Sequence, residues 1–360
     1  MSIDKELEDL EEQLQETDDY DETPPSDIVA FNELRSCADL LRMYDAGQLN
    51  IQPEFQRDVV WSKPMQTRFV DSLVKQLPIP SMCISLDYKT QERLVIDGLQ
   101  RISSIIFFLS EKNEWKLSRL EDIDQKISGK TNSYIQKKYP AIIEKVENTT
   151  IPITVLRCDY TKRNHMAYLF TIFHRLNTGG NKLTNQEIRN CIYSGTFNNL
   201  LRSIVSNEEF KILFSLEEDK TYRFSYEELA LRFITFSENY ENYRGRLAKY
   251  LNDYMEENRF INEDRFNEIE TNFNNIINLI YSKLCENKSL PKLSKATYEA
   301  LYVGISRNYE NLINESIEQI QMKFKALLAD DLFSVDSLKG GLSSRDGVHA
   351  RFSKSIEIFS

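Results

Sequence analysis

Between residues 94 and 109 the apolar pattern changes its period, which calls for a strand that hands over to a helix. Leu94, Val95 and Ile96 run consecutively into Asp97-Gly98, after which Ile102, Ile105, Ile106 and Leu109 recur at helical spacing. The pattern predicts a strand that turns at Gly98 into a helix. A helix start carries unpaired backbone N–H groups and the positive end of the helix dipole, which together favour an anion. Gly98 lets a ligand approach the backbone closely, and Arg101 adds a planar guanidinium able to grip phosphate with two hydrogen bonds. The same letters also describe an ordinary turn with Asp97 capping the helix and Arg101 solvated, and five residues do not choose between the two.

Two further segments bear on that choice. Upstream stands Pro53-Glu54-Phe55-Gln56-Arg57-Asp58-Val59-Val60-Trp61; downstream, Phe173, Arg175, Asn177, Gly179 and Gly180 follow one another at the end of a predicted helix. With Asp97-Gly98-Leu99-Gln100-Arg101, these segments resemble the N-terminal family of GmrSD-type restriction endonucleases. That family's marks are Pro-x-aromatic-Gln-Arg-x-x-x-Trp, Asp-Gly-Gln-Gln-Arg and Phe-x-Arg-x-Asn-x-Gly-Gly. Leu99 stands where the family has a glutamine. The resemblance spans residues 31–197. It implies a ParB- or sulfiredoxin-like fold, with Gln56 and Arg57 facing the anion site beside Arg101 and with Asn177 helping to hold the ligand or its metal. By themselves the two glycines read as a helix C-cap and turn, and Trp61 reads as a packing residue.

A chain of 360 residues with 41% apolar content can bury a real core. It has no apolar run of eighteen and begins acidic, which argues against a membrane span or a secretion signal. Cys37, Cys83, Cys158, Cys191 and Cys285 are scattered singly, as reduced thiols in a cytoplasmic protein would be, and offer no zinc framework. The net charge of -11 is concentrated at the start: residues 1–22 hold eleven acids and only Lys5 as a base. The rest is nearly neutral, so the global charge does not exclude a basic cleft.

The expected architecture is α+β: a ParB-like domain with a small mixed sheet over 26–197, then a mostly helical domain over 198–338. In front lies an acidic leader, 1–25, in which Ile3, Leu7, Leu10 and Leu14 have helical spacing and Thr23-Pro24-Pro25 forms a breaker. It reads as a solvating tail, with a partner-docking helix or a phosphate-competing lid as the sharper readings. A basic, loop-like tail closes the chain over 339–360. Within the first domain, a helix is expected over 31–48 through Leu34, Ala38, Leu41 and Tyr44. Strands are expected over 81–86, 93–96 and 151–156, and a polar insertion or helical excursion over 111–147.

A Walker loop, a Rossmann glycine fingerprint and a HExxH helix are missing. Of the histidines, His165 and His174 lie nine residues apart on one helix, without metal-ligand spacing, and only His349 lies in the C-terminal half. A His-Asn-His nuclease domain, which long relatives append, is therefore not expected here. What remains is a phosphate-reading set: Gln56, Arg57, Asp97, Gly98, Gln100, Arg101, the hydroxyls of Ser103 and Ser104, and Asn177. Its natural ligand is a nucleoside triphosphate with Mg2+, the cation held by Asp97 and the attacking water oriented by Gln56 or Gln100. The resemblance implies a nucleotide hydrolase of a restriction or anti-phage system, coupled to DNA recognition or to a separate nuclease or methylase subunit. The alternatives are a nucleotide or DNA phosphate sensor without turnover, and direct DNA cleavage by the ParB-like fold.

Overall fold

Val29–Ser36 (β1), Leu49–Asn50 (β2), Met82–Asp87 (β3), Arg93–Asp97 (β4) and Thr150–Cys158 (β5) form one mixed sheet in the order β1-β5-β3-β4-β2. The β1–β5 and β3–β4 pairs are antiparallel, while β5–β3 and β4–β2 are parallel. The computed structural model describes residues 10, 23–51, 61–112, 114–176, 183–215 and 224–360. Residues 1–9 and 11–22 of the acidic leader lie outside these residues, as do Gln56, Arg57 and Asn177.

The alternation in β5 fixes which face of the sheet is covered. Ile151, Ile153 and Val155 are buried while Thr150 and Pro152 between them are exposed. Their face, with Met82, Ile84 and Val95, packs against the apolar stripes of Cys37–Asp45 (α1), Lys63–Val74 (α2) and Leu99–Leu109 (α3). In β4, Leu94, Val95 and Ile96 are all buried, and Arg163–Leu176 (α6) packs against this strand. Uninterrupted apolar strands of this kind are those covered on both faces. Trp61 packs on the same core, edge to face with Phe69 at 5.6 Å, as its burial chemistry predicts.

The expected helix over 31–48 begins later. Residues 29–36 pair with β5, and the helix starts at Cys37, capped by Ser36, whose hydroxyl accepts from the Asp39 N–H at 3.1 Å. Leu34, taken as part of the helical stripe, is instead 68% exposed on an edge strand. The polar stretch after Glu111 contains Asn132–Lys138 (α4) and Pro140–Glu147 (α5). It is anchored by isolated buried residues, Leu117, Ile123 and Ile127, and by α2: Thr67 accepts from Ser118 N–H and Asp71 from Asp124 N–H, both at 2.9 Å.

The chain divides into two compact units between Ile192 and Tyr193, just before the expected boundary at 197. Asn185–Ile192 (α7) closes the first. In the second, Thr196–Ser206 (α8) buries Phe197, Leu200 and Leu201, and Phe197 meets Tyr254 edge to face at 5.6 Å, so residue 197 belongs to that core. The second unit is helical. Residues 339–360, expected as a basic tail, are part of its packing: Arg345–Phe359 is a helix that buries Phe352 and Phe359. Arg351, one of the basic residues behind that expectation, is 2% exposed and donates to the carbonyls of Gly341 and Leu342 at 3.0 and 2.6 Å. Among the described residues no helix is long and apolar enough to cross a membrane.

Candidate phosphate site at the start of a helix

β4 ends at Asp97 and α3 begins at Leu99, with Gly98 between them at φ +95°, in the left-handed region. A side chain here is strained by the backbone and also crowded, because a Cβ on Gly98 would lie 2.7 Å from Met82 Cγ. The first intrahelical bond runs from Ile102 N–H to Gly98 O, so the amides of Leu99, Gln100 and Arg101 precede it. Among the described residues no side chain caps this end, and its first turn has no acidic residue. Asp97, offered by the sequence as a possible cap, is engaged elsewhere.

That engagement is with Arg101. One guanidinium nitrogen donates to Asp97 Oδ2 at 2.8 Å, and another to the carbonyls of Pro80 at 2.8 Å and Ser81 at 3.3 Å. The side chain of Arg101 is 14% exposed and that of Asp97 40%. Arg101 is therefore a brace between the entry of β3 and the exit of β4, not the open clamp its letters suggested. Pro78 and Pro80 give a clue in hindsight, since such a segment presents carbonyls that the sheet does not pair.

Ser103 and Ser104, also expected to reach phosphate, turn the other way. Their hydroxyls donate to the carbonyls of Leu99 at 2.8 Å and Gln100 at 2.7 Å, and both residues are buried in α3. This back-bonding within the helix removes them from the ligand set. Gln100 differs: its side-chain oxygen is buried and accepts no hydrogen bond among the described residues. A buried acceptor without a donor costs about 1–3 kcal/mol. Asp97 and Gly98 thus lead into the helix start and Gln100 lies in its first turn, with Arg101 holding Asp97 in place.

A second strand-to-helix turn in this unit carries a polar network of its own. Asp159, between β5 and α6, accepts from Thr161 N–H and Oγ1 at 3.0 and 2.6 Å and pairs with Lys89 at 2.8 Å. Lys89 and Thr161 hold its carboxyl far below the usual range. The Asp159 N–H donates to His165 Nδ1 at 3.0 Å, and His165 Nε2 faces Asp27 Oδ1 at 2.9 Å. Both ring nitrogens are thus occupied in a buried packing role. Lys162 also bonds Asp27, and Lys162 and His165 together lower the Asp27 carboxyl to about 2. This network has no local signature, because Asp159, Lys89 and Asp27 lie far apart along the chain.

Burial raises the thiols of Cys37, Cys83, Cys158 and Cys191 to about 12, and for Cys83 the charge of Asp97 adds to the effect. None has the depressed pKa of a nucleophilic thiolate. Among the described residues, no three His, Cys, Asp or Glu side chains gather as a metal-binding group.

Residues 37–194 match the family model described as the GmrSD restriction endonuclease, N-terminal domain. Neither the curated proteins nor the solved structures gave a significant match to the chain.

Proposed function

We propose, from the match of residues 37–194 to the GmrSD restriction endonuclease N-terminal domain, that the chain binds and hydrolyses a nucleoside triphosphate within a restriction or anti-phage system. The observation that carries this reading is the start of α3. Among the described residues it is uncapped, it is entered through a left-handed Gly98 beside the partly exposed Asp97, and its first turn carries Gln100, whose buried side-chain oxygen lacks a donor. Phosphate oxygens would be received by the amides of Leu99, Gln100 and Arg101, which need no P-loop to do so. Mg2+ with a triphosphate supplies charge neutralisation and an electrophilic phosphorus. Asp97 would hold that cation through the oxygen Arg101 leaves unbonded, one carboxylate sufficing where phosphates and waters complete the shell. Gln100 Oε1, an acceptor, is suited to orient a water by accepting a hydrogen bond from it. Gln56, Arg57 and Asn177 complete the proposed site on the strength of the family motifs alone. DNA and a separate nuclease or methylase subunit are its proposed partners.

A second reading is binding without turnover, as a nucleotide or DNA phosphate sensor. The inward hydroxyls of Ser103 and Ser104 and the internal bonding of Arg101 favour it, since they leave fewer groups for catalysis. Phosphate release from each NTP with Mg2+ separates the two. Hydrolysis lost in both Asp97→Ala and Arg101→Ala supports the enzyme. Saturable nucleotide binding in equilibrium dialysis without phosphate release supports the sensor, and undiminished hydrolysis in both variants removes the site.

A further inference from the structure

At the opposite end of α3 the first unit has a cavity of about 540 Å³ that the phosphate reading does not use. Its walls include Tyr44, Phe107 and Trp115, and its rim includes Asp45, Lys112 and Glu114. The aromatic residues are half-buried, with Tyr44 and Trp115 packed on the core and Phe107 and Trp115 tilted together at 6.3 Å, so the walls are preformed. Buried Asn132 fixes the frame: its amide nitrogen donates to Ser110 O at 2.8 Å, and its oxygen accepts from Trp115 N–H at 2.9 Å.

The electrostatics of this cavity are the reverse of those at Gly98. It lies at the C-terminal ends of both α1 and α3, where helix dipoles favour positive charge. Aromatic faces attract cations, tryptophan most strongly. Two carboxylates stand on the rim, and the ammonium of Lys112 already sits against Asp45 at 2.6 Å from a side chain that is 69% exposed. Glu114 has one oxygen engaged by Ser133 at 3.1 Å. We propose that this cavity is a binding site for an organic cation with a guanidinium head, free or carried on an arginine side chain. A guanidinium is flat enough to lie against the aromatic walls, bonds a carboxylate through two N–H groups, and is less strongly hydrated than an ammonium.

Trp61 and Trp115 are the protein's two tryptophans, so a Trp61→Phe background leaves Trp115 as the sole indole reporter. The probes are agmatine and acetyl-Gly-Arg-Gly-amide, with acetyl-Gly-citrulline-Gly-amide as the uncharged isostere. Saturable change in Trp115 emission is expected with a guanidinium probe and not with the citrulline peptide. Tighter binding of the peptide assigns the cation to a polypeptide partner, and tighter binding of agmatine to a small molecule. Glu114→Gln, an exposed change, weakens binding about tenfold, while Lys112→Ala, which releases Asp45, tightens it about two- to fivefold. Unchanged melting curves establish that both variants are folded. An equal response to the citrulline peptide, no saturable response to either guanidinium, or unaltered affinity in Glu114→Gln overturns the proposal.

Discussion

Two turns in the same unit start from the same plan, a strand ending near an aspartate that precedes a helix, and reach opposite results. At the β5–α6 turn Asp159 is saturated: Thr161 supplies two donors, Lys89 pairs with it, and its own N–H is taken by His165. At the β4–α3 turn Asp97 has one oxygen braced by Arg101, the helix start is uncapped, and a buried oxygen of Gln100 lacks a donor. Because β4 runs antiparallel to β3 and β5 parallel to it, the turns lie at opposite ends of the sheet. The first turn satisfies its polar groups internally and serves stability. The second leaves polar capacity at a left-handed glycine, which is where function is to be sought.

The most demanding test exchanges the two aspartates. Asp97→Ala is expected to lower NTP turnover about 100-fold or more with a nearly unchanged melting temperature. Asp159→Ala is expected to lower the melting temperature distinctly while the folded fraction keeps its specific activity. Phosphate release and thermal melting on the same samples decide it, and a reversed pattern would erase the distinction between the turns. Next in size, Gly98→Ala costs about 1–3 kcal/mol through its positive φ and the approach to Met82, measured by urea unfolding.

Gln100→Leu sharpens the contrast from the other side. Replacing an undonated buried acceptor with an apolar group of similar size should stabilise the free protein by about 1 kcal/mol while weakening nucleotide binding. A loss of stability would mean that the oxygen has a structural partner after all. The smallest effect concerns acid. The Asp27 carboxyl is held at about 2 by Lys162 and His165, below its ordinary 3.8. Its stabilising contribution is therefore complete above pH 3.8 and disappears as the pH falls through about 2. In acid titrations followed by circular dichroism, wild type and Asp27→Asn should differ near neutrality and converge across that window.

Periodicity was enough to locate the β4–α3 junction, because a run of branched residues followed by helical spacing has few other solutions. It failed at residues 29–36, where an exposed edge strand carries no burial signal of its own and Leu34 happened to extend the spacing of α1. Side-chain direction was less legible still. Ser103 and Ser104 read as donors toward a ligand, but only the helix carbonyls four residues back reveal that both are engaged. Arg101 was correctly put at the junction, yet its Pro80 and Ser81 partners lie some twenty residues upstream, beyond any local pattern. The C-terminal helix was missed because its glycines and basic residues resemble a tail until Arg351 is seen capping the preceding segment from inside.

The brace from Arg101 to the entry of β3 also has a kinetic meaning. The β3–β4 register shifts between Cys83 and Ile84, so the carbonyls that Arg101 reaches are aligned with Asp97 by one pairing of the hairpin. A refolding molecule whose strands have slipped by a residue can be compact and helical while Asp97 is unsupported. Recovery of ligand affinity during refolding would then lag behind recovery of ellipticity, and the interval would time the correction of that hairpin.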